Sequence, residues 1–138
     1  MGGSGLARGA RIFLGLCAAA TLAIGIHMAR PWGDNDAYQG AKDYLVLAAM
    51  LLWALFPLGA LALATHIFRS SPRARAVLCI GAIGIGLAGM AAYVDVAFVH
   101  RDAQGGLAFV SVPVLQWIGT LGLLAVCAVL QRLRRPVA

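Results

Sequence analysis

Four long apolar stretches alternate with short polar segments along this chain. The stretches free of Asp, Glu, Lys and Arg cover residues 12–29, 44–68, 76–94 and 103–131, and the third reaches residue 99 once Asp95 is passed. A helix needs about 20 mostly apolar residues to cross about 30 Å of hydrocarbon. The pattern therefore predicts four membrane-spanning segments, at residues 12–29, 44–68, 76–99 and 110–131.

The spanning segments are predicted to be helices. Lipid offers no hydrogen-bond partner to backbone N–H and C=O groups, so only helices and closed barrels cross it. Barrel strands alternate apolar and polar residues over short segments, whereas these apolar stretches are continuous. We expect an all-α integral membrane protein, folded as a compact four-helix bundle in which residues 1–138 form a single domain.

The composition agrees with a membrane environment and excludes several classes of protein. Of the 138 residues, 62% are hydrophobic and 12% are charged, while soluble domains average about 45–50% apolar and about 25% charged residues. A small folded core cannot hide that much apolar surface from water. A soluble globular enzyme, a disulfide-rich secreted domain and a disordered tail are therefore excluded.

The charged residues are distributed unevenly between the two predicted sides of the membrane. Eight of the eleven basic residues precede the first span, separate the second from the third, or follow the fourth, whereas all five acidic residues fall towards the opposite side. By the positive-inside rule, both termini are predicted to be cytoplasmic. Short loops and the arginine content favour a bacterial inner membrane. We interpret the net charge of +6 as a topology signal, so nucleic acid is not an expected partner.

The first apolar stretch also has the features of a cleaved signal peptide, since Arg8 and Arg11 precede it. It is long for the apolar core of such a peptide, and no small-residue cleavage site precedes Arg30, so a retained helix is favoured. The cysteines lie singly in the first, third and fourth spans, and no CxxC motif is present. They are therefore predicted to be packing residues without a redox role.

The third span is rich in small residues, which allow transmembrane helices to approach one another closely. Gly84, Ala88 and Ala92 follow at four-residue spacing, and Gly81 shares a face with Ala88. We predict that these four residues are helix-packing positions. Because Asp95 lies seven residues after Ala88, it is predicted to face the same packed side, and the third span should be the most enclosed of the four.

Four polar residues are predicted to lie near the outer leaflet as a candidate site: His27, Asp95, His100 and Gln116. An ionisable residue inside a span is a functional candidate by default, and proton-coupled transporters use such a carboxylate. Asp95 is also close enough to the end of its span to reach the interface or to pair with Arg101. Histidine and carboxylate groups can ligate a divalent metal, but no HxxxH or HExxH spacing is present, and we predict no metal site.

Pro57 lies in the middle of the second span. Proline cannot donate the helical hydrogen bond to the carbonyl of Trp53, so a helix kink is predicted at this residue. Such a kink serves as a hinge, as part of a ligand site, or simply as a bend that neighbouring helices accommodate.

The sequence holds no nucleophilic triad and no phosphate-binding glycine loop after a strand. We therefore predict a protein that is not an enzyme and that needs no cofactor. The main hypothesis is a non-catalytic accessory or scaffold subunit of a larger membrane assembly. The alternative is a homo-oligomeric channel or a small-solute or proton-coupled transporter that uses Asp95. The expected partners are the lipid bilayer and either other membrane subunits or further copies of this chain.

Overall fold

Four α-helices make up most of the chain that the structure describes. A computed structural model describes residues 3–30, 40–99 and 105–133. The helices are α1 (Gly3–Ala29), α2 (Ala41–Ile67), α3 (Pro72–Val94) and α4 (Gly105–Arg132), with a 3-10 turn at Phe68–Ser70 and a π-helical segment at Asp95–Val99. Those three described ranges contain no strand. The predicted all-α fold is confirmed.

All four helices are long and apolar enough to cross a membrane. The spanning stretches are Gly5–Ala29, Ala41–Ile67, Pro72–Val99 and Leu107–Arg132. Each predicted span lies within or close to one of these stretches. The helices are longer than the predicted spans, because they also include charged residues, such as Arg8 and Arg11 in α1. The chain is a small multi-pass membrane protein with four transmembrane helices.

Local interactions define where the helices begin and end. The Ser71 hydroxyl accepts a hydrogen bond from the backbone N–H of Ala74 at 3.5 Å, with Pro72 at the start of α3, which is a favourable N-terminal cap. The backbone N–H of Gly40 donates to Asp43 Oδ2 at 3.0 Å at the start of α2. Arg30 ends α1 with a left-handed φ of 43°, a conformation in which many helices end, although glycine usually occupies it.

The helices form a ring in the order α1, α2, α4, α3, and each packs on the two beside it. Two apolar clusters joined through Met90 fill the inside of this ring along the described helices. The cluster towards the α2–α3 turn contains Leu14, Cys17, Leu58, Leu61, Ala64, Phe68, Ala74, Leu78, Ala82 and Cys127. The cluster towards the other end contains Ile24, Ala54, Tyr93, Ala97, Ala108, Phe109 and Val112.

The third helix is the most enclosed of the four, as predicted. In α3, 33% of the apolar stretch is buried inside the bundle, compared with 22% in α1, 22% in α2 and 28% in α4. The outer surface remains strongly apolar, because Leu45, Leu63, Ile80 and Leu115 are 62–68% exposed. Large aliphatic side chains turned outward all around the bundle agree with a protein surrounded by lipid.

Pro57 is part of the core. It lies inside α2, which continues as one α-helix on both sides of it, and its ring is fully buried beside Leu58. Because proline lacks the N–H that would bond one turn back, this residue interrupts the backbone ladder at a point where neighbouring helices surround it. The kink itself stays a prediction.

The four predicted packing residues of α3 do not share one environment. A Cβ at Gly81 would lie 2.6 Å from the Leu123 side chain, so α3 and α4 approach closely there. Gly84 and Ala88 are instead exposed, and a Cβ at Gly84 would have no neighbour within 4 Å. Ala92 is half-buried. The structure therefore differs from the prediction at Gly84, which does not lie at a contact between the described helices.

The inner face of α3 is formed by a second set of small residues. Ala82 and Gly86 are buried, and a Cβ at Gly86 would lie 3.0 Å from the Phe13 ring and 3.4 Å from the Cys17 sulfur. These contacts bring α1 against α3. The close approaches of α3 therefore use one predicted residue, Gly81, together with Ala82 and Gly86, which were not predicted.

Candidate functional site

Several polar side chains are buried inside the membrane-spanning bundle without a hydrogen-bond partner. Among the described residues these are the hydroxyls of Tyr93 and Thr120, the Oε1 atom of Gln116 and the indole N–H of Trp117. Tyr93, Gln116 and Thr120 are 1%, 6% and 0% exposed. Leaving a buried polar group unpaired costs about 1–3 kcal/mol. A ligand that supplies the missing hydrogen bond would remove that cost.

Gln116 owes its position to a glycine on the neighbouring helix. A Cβ added to Gly89 of α3 would overlap the side-chain amide of Gln116 on α4. Only glycine at position 89 leaves room for this amide between the two helices. Thr120 lies one turn further along α4 on the same buried side. Their four-residue spacing puts both on one face of α4, and both are buried.

An open cavity lies beside the Gln116 amide, and we call it the α3–α4 groove. Its volume is about 150 Å³. It is lined by Ile85, Ala88, Gly89 and Ala92 from α3 and by Val112, Leu115 and Gln116 from α4. Ala88 and Leu115 are exposed at its rim, so the groove opens sideways from the bundle. Gln116 is the polar residue of an otherwise apolar lining.

The remaining members of the predicted polar site lie elsewhere. Asp95 and His27 are exposed, whereas Gln116 is buried. The exposure of Asp95 differs from the prediction that it faces the packed side of α3. His100 lies outside the described residues. The structure therefore does not place His27 and Asp95 in the same environment as Gln116, and their proposed functional roles stay predictions.

His27 and the end of α3 are nevertheless neighbours. The imidazole of His27 stacks on the ring of Phe98, with ring centroids 5.9 Å apart and planes inclined by 20°. Phe98 belongs to the π-helical segment that Asp95 begins. This stacking joins the end of α1 to the end of the third span. Within residues 3–30, 40–99 and 105–133, His, Cys, Asp and Glu do not form a group of three or more able to hold a metal ion.

The opposite end of the bundle has its own polar contacts between helices. The Arg11 guanidinium donates to Nε2 of His66 at 2.8 Å and to the backbone carbonyl of Ala7 at 3.2 Å. The Gln131 amide donates to the Ser70 hydroxyl at 3.4 Å. These contacts link α1 to α2 and α4 to the 3-10 turn. His66 and Ser70 are exposed, so these contacts belong to the outer surface of that end.

All three cysteines are free and buried. The Cys127 thiol donates to the backbone carbonyl of Ala74 at 3.4 Å, and Cys79 packs with Ala7 and Ala10 between α1 and α3. Each cysteine thus fills space at a helix contact. Their positions agree with the predicted packing role.

Tyr93 is a buried polar residue near the end of α3. Aromatic residues close to the end of a span commonly lie at the membrane boundary, but Tyr93 is 1% exposed and packs on Phe109, with ring centroids 5.5 Å apart. A signal was present in the spacing, because Tyr93 follows Gly86 and Gly89 by seven and four residues. These intervals keep all three on the inner face of α3.

This arrangement can bind a molecule, but it offers little for bond-making chemistry. Amide and hydroxyl groups donate and accept hydrogen bonds without changing charge near neutral pH. The groove therefore supplies an apolar space and one polar contact. Neither a protein-family model, nor a curated protein, nor a solved structure matches this chain.

Proposed function

We propose that this protein is a non-catalytic accessory or scaffold subunit of a larger membrane assembly, and that it docks through the outer face of α1. The observation that supports this proposal is that three glycines of α1 are turned away from the bundle. A Cβ at Gly5, Gly9 or Gly15 would have no neighbour within 4 Å. Nothing within the described chain uses their small size.

An outward glycine in a helix needs a compensating interaction. Glycine in a helix interior is about 0.8–1 kcal/mol less favourable than alanine, and lipid tails pack at least as well against alanine. A partner helix can offset that cost, because small residues let two backbones approach and pack over a large area.

The outer face of α1 is the best candidate for such a contact. Gly15, Ala19 and Ala23 follow one another at four-residue spacing, and all three are exposed. On α2 and α4 the outward glycines lie one turn from a large exposed side chain, as Gly122 does from Ile118. On α3 the exposed stripe of Gly84 and Ala88 continues into the half-buried Ala92 and borders the α3–α4 groove. We define the docking face as Gly15, Ala19 and Ala23. Its proposed occupant is an apolar transmembrane helix of a different membrane protein.

The first test is the native mass of the protein after gentle extraction from its own membrane. We expect a complex that contains a second, different subunit in fixed proportion. Gly15→Leu should release that subunit, because a leucine side chain on the docking face keeps the helices apart. Gly122→Leu makes the same change in equally open space on α4 and should leave the complex intact.

Two results would contradict this proposal. Wild-type protein that is monomeric in several mild detergents would remove the partner altogether. If Gly15→Leu and Gly122→Leu retained the second subunit equally well, the docking face would not be on α1.

The second candidate is a homo-oligomeric channel or a small-solute or proton-coupled transporter that uses Asp95. It is favoured by the π-helical segment that starts at Asp95, since π-helical turns occur frequently at functional sites. Asp95 is exposed at the start of that segment, and apolar clusters fill the inside of the described helix ring, so a pathway would have to lie between copies. A mass equal to a multiple of one chain, with solute flux in liposomes lost in Asp95→Asn, would favour this candidate over the first.

We also propose that the protein lies in a bacterial inner membrane with both termini in the cytoplasm. The uneven distribution of eight basic residues against three supports that orientation. A reporter enzyme active only in the cytoplasm and fused after residue 138 should be active. An inactive reporter on a stable fusion would reverse the orientation.

A further inference from the structure

The α3–α4 groove has the size of a small ring. Its volume is about 150 Å³, and an apolar cavity of about 150 Å³ in a protein interior is enough to hold benzene. The α3 side of the groove leaves space for a ligand because three of its lining residues are small: Ala88, Gly89 and Ala92. The exposed rim leaves a path from the lipid into the groove.

One residue that lines the groove carries a buried polar atom without a partner. Gln116 is 6% exposed, lines the groove, and has no hydrogen bond to Oε1. Gly89 keeps this amide in place, because any larger residue there would displace it. An amide oxygen accepts hydrogen bonds, so the group that completes this site must donate one.

The depth of the groove restricts the ligand further. Gln116 lies nine residues from the start of the Leu107–Arg132 span, which is about 14 Å along a helix that rises about 1.5 Å per residue. Gly89 lies ten residues from the end of the Pro72–Val99 span, about 15 Å by the same rise. The two spans are 26 and 28 residues long, so both residues also lie within about 5 Å of the midpoints of their spans, close to the middle of a hydrocarbon core about 30 Å thick. Phospholipid head groups stay at the membrane surface and do not reach this depth.

We propose that the α3–α4 groove binds an uncharged, lipid-soluble molecule with a ring-sized head, whose hydroxyl or N–H group donates a hydrogen bond to Oε1 of Gln116. The ring fills the apolar space between α3 and α4, and an aliphatic tail leaves through the rim into lipid. The site is independent of the proposed docking face, because that face is on α1 and the groove lies between α3 and α4.

The test compares two probes that differ in the donor alone, para-octylphenol and para-octyltoluene. Binding to the full chain in mild detergent is measured from the rise in the thermal unfolding midpoint with probe concentration. For each protein, the affinity for the phenol is divided by the affinity for the toluene. We expect this ratio to be about tenfold higher for wild-type protein than for Gln116→Leu. Comparing the two proteins cancels the different partitioning of the two probes into detergent.

A second pair of variants tests the location without removing the polar group. Ala92→Leu fills the groove and should weaken both probes. Ala91→Leu makes the same change on the exposed side of α3 and should weaken neither.

Three results would overturn the proposal. If the ratio of phenol affinity to toluene affinity were the same in Gln116→Leu as in wild-type protein, water or another group would be the hydrogen-bond partner of Oε1. Absence of binding by both probes to wild-type protein would show that the groove takes no such ring. Equal effects of Ala92→Leu and Ala91→Leu would place the binding outside the groove.

Discussion

Leu61→Ala is expected to lower the free energy of unfolding by about 2–3 kcal/mol. Leu61 is 0% exposed and lies in the apolar cluster near the α2–α3 turn, one turn after the buried Pro57. Unfolded transmembrane helices remain in detergent or lipid, so removing the side chain loses little transfer free energy. The loss comes from the cavity and the missing packing contacts, which places the value at the lower end of the range for buried leucines.

The same helix offers a matched control for this prediction. Leu63 is 62% exposed, so Leu63→Ala should change the free energy of unfolding by less than about 0.5 kcal/mol. Both variants are measured by titrating sodium dodecyl sulfate into protein held in a mild detergent. If the two alanine variants were equally stable, α2 would have to be rotated relative to the bundle described above.

The number and positions of the helices could be predicted because the bilayer imposes a length on each span. Residues 44–68 and 76–99 are long enough to cross the hydrocarbon, and Ser71 and Pro72 lie in the turn between them. That turn contains a residue suited to cap α3 and a proline suited to begin it. These signals are local in the sequence, so the helix ends can be predicted from them without knowledge of the tertiary structure.

The rotation of each helix could not be predicted with the same success. In water, the buried side of a helix is marked by apolar residues and the exposed side by polar ones. In lipid both sides are apolar, so this signal is lost. On α3, Gly84 and Ala88 form one stripe of small residues, while Ala82 and Gly86 form another. The sequence alone does not distinguish the stripe that packs inside the bundle.

Polar residues restore part of the missing signal, but only deep in the membrane. Gln116 lies near the middle of its span, where facing lipid is costly, and it is buried on the same side of α4 as Thr120. Asp95 lies near the end of its span, where water and the head groups can reach a carboxylate. Asp95 is exposed, so the cost of facing lipid, which keeps Gln116 inside the bundle, does not determine which way Asp95 faces.

The two small-residue stripes of α3 give the second large expected effect. Gly86→Leu should lower the free energy of unfolding by about 3 kcal/mol, at the upper end of the usual cost of overpacking. A Cβ at position 86 would already lie 3.0 Å from the Phe13 ring and 3.4 Å from the Cys17 sulfur. The rest of a leucine side chain has no space unless α1 moves away from α3.

Gly84→Leu is the matched control, and its effect should have the opposite sign. Position 84 is exposed and has no neighbour within 4 Å, so leucine meets no obstacle there. The better helix propensity of leucine should then raise the free energy of unfolding of the purified protein by up to about 0.8 kcal/mol. The same detergent titration measures both variants. A loss of stability in Gly84→Leu comparable to that in Gly86→Leu would return Gly84 to the helix contact that its spacing suggests, and would require α3 to be rotated towards the face shared by Gly84 and Ala88.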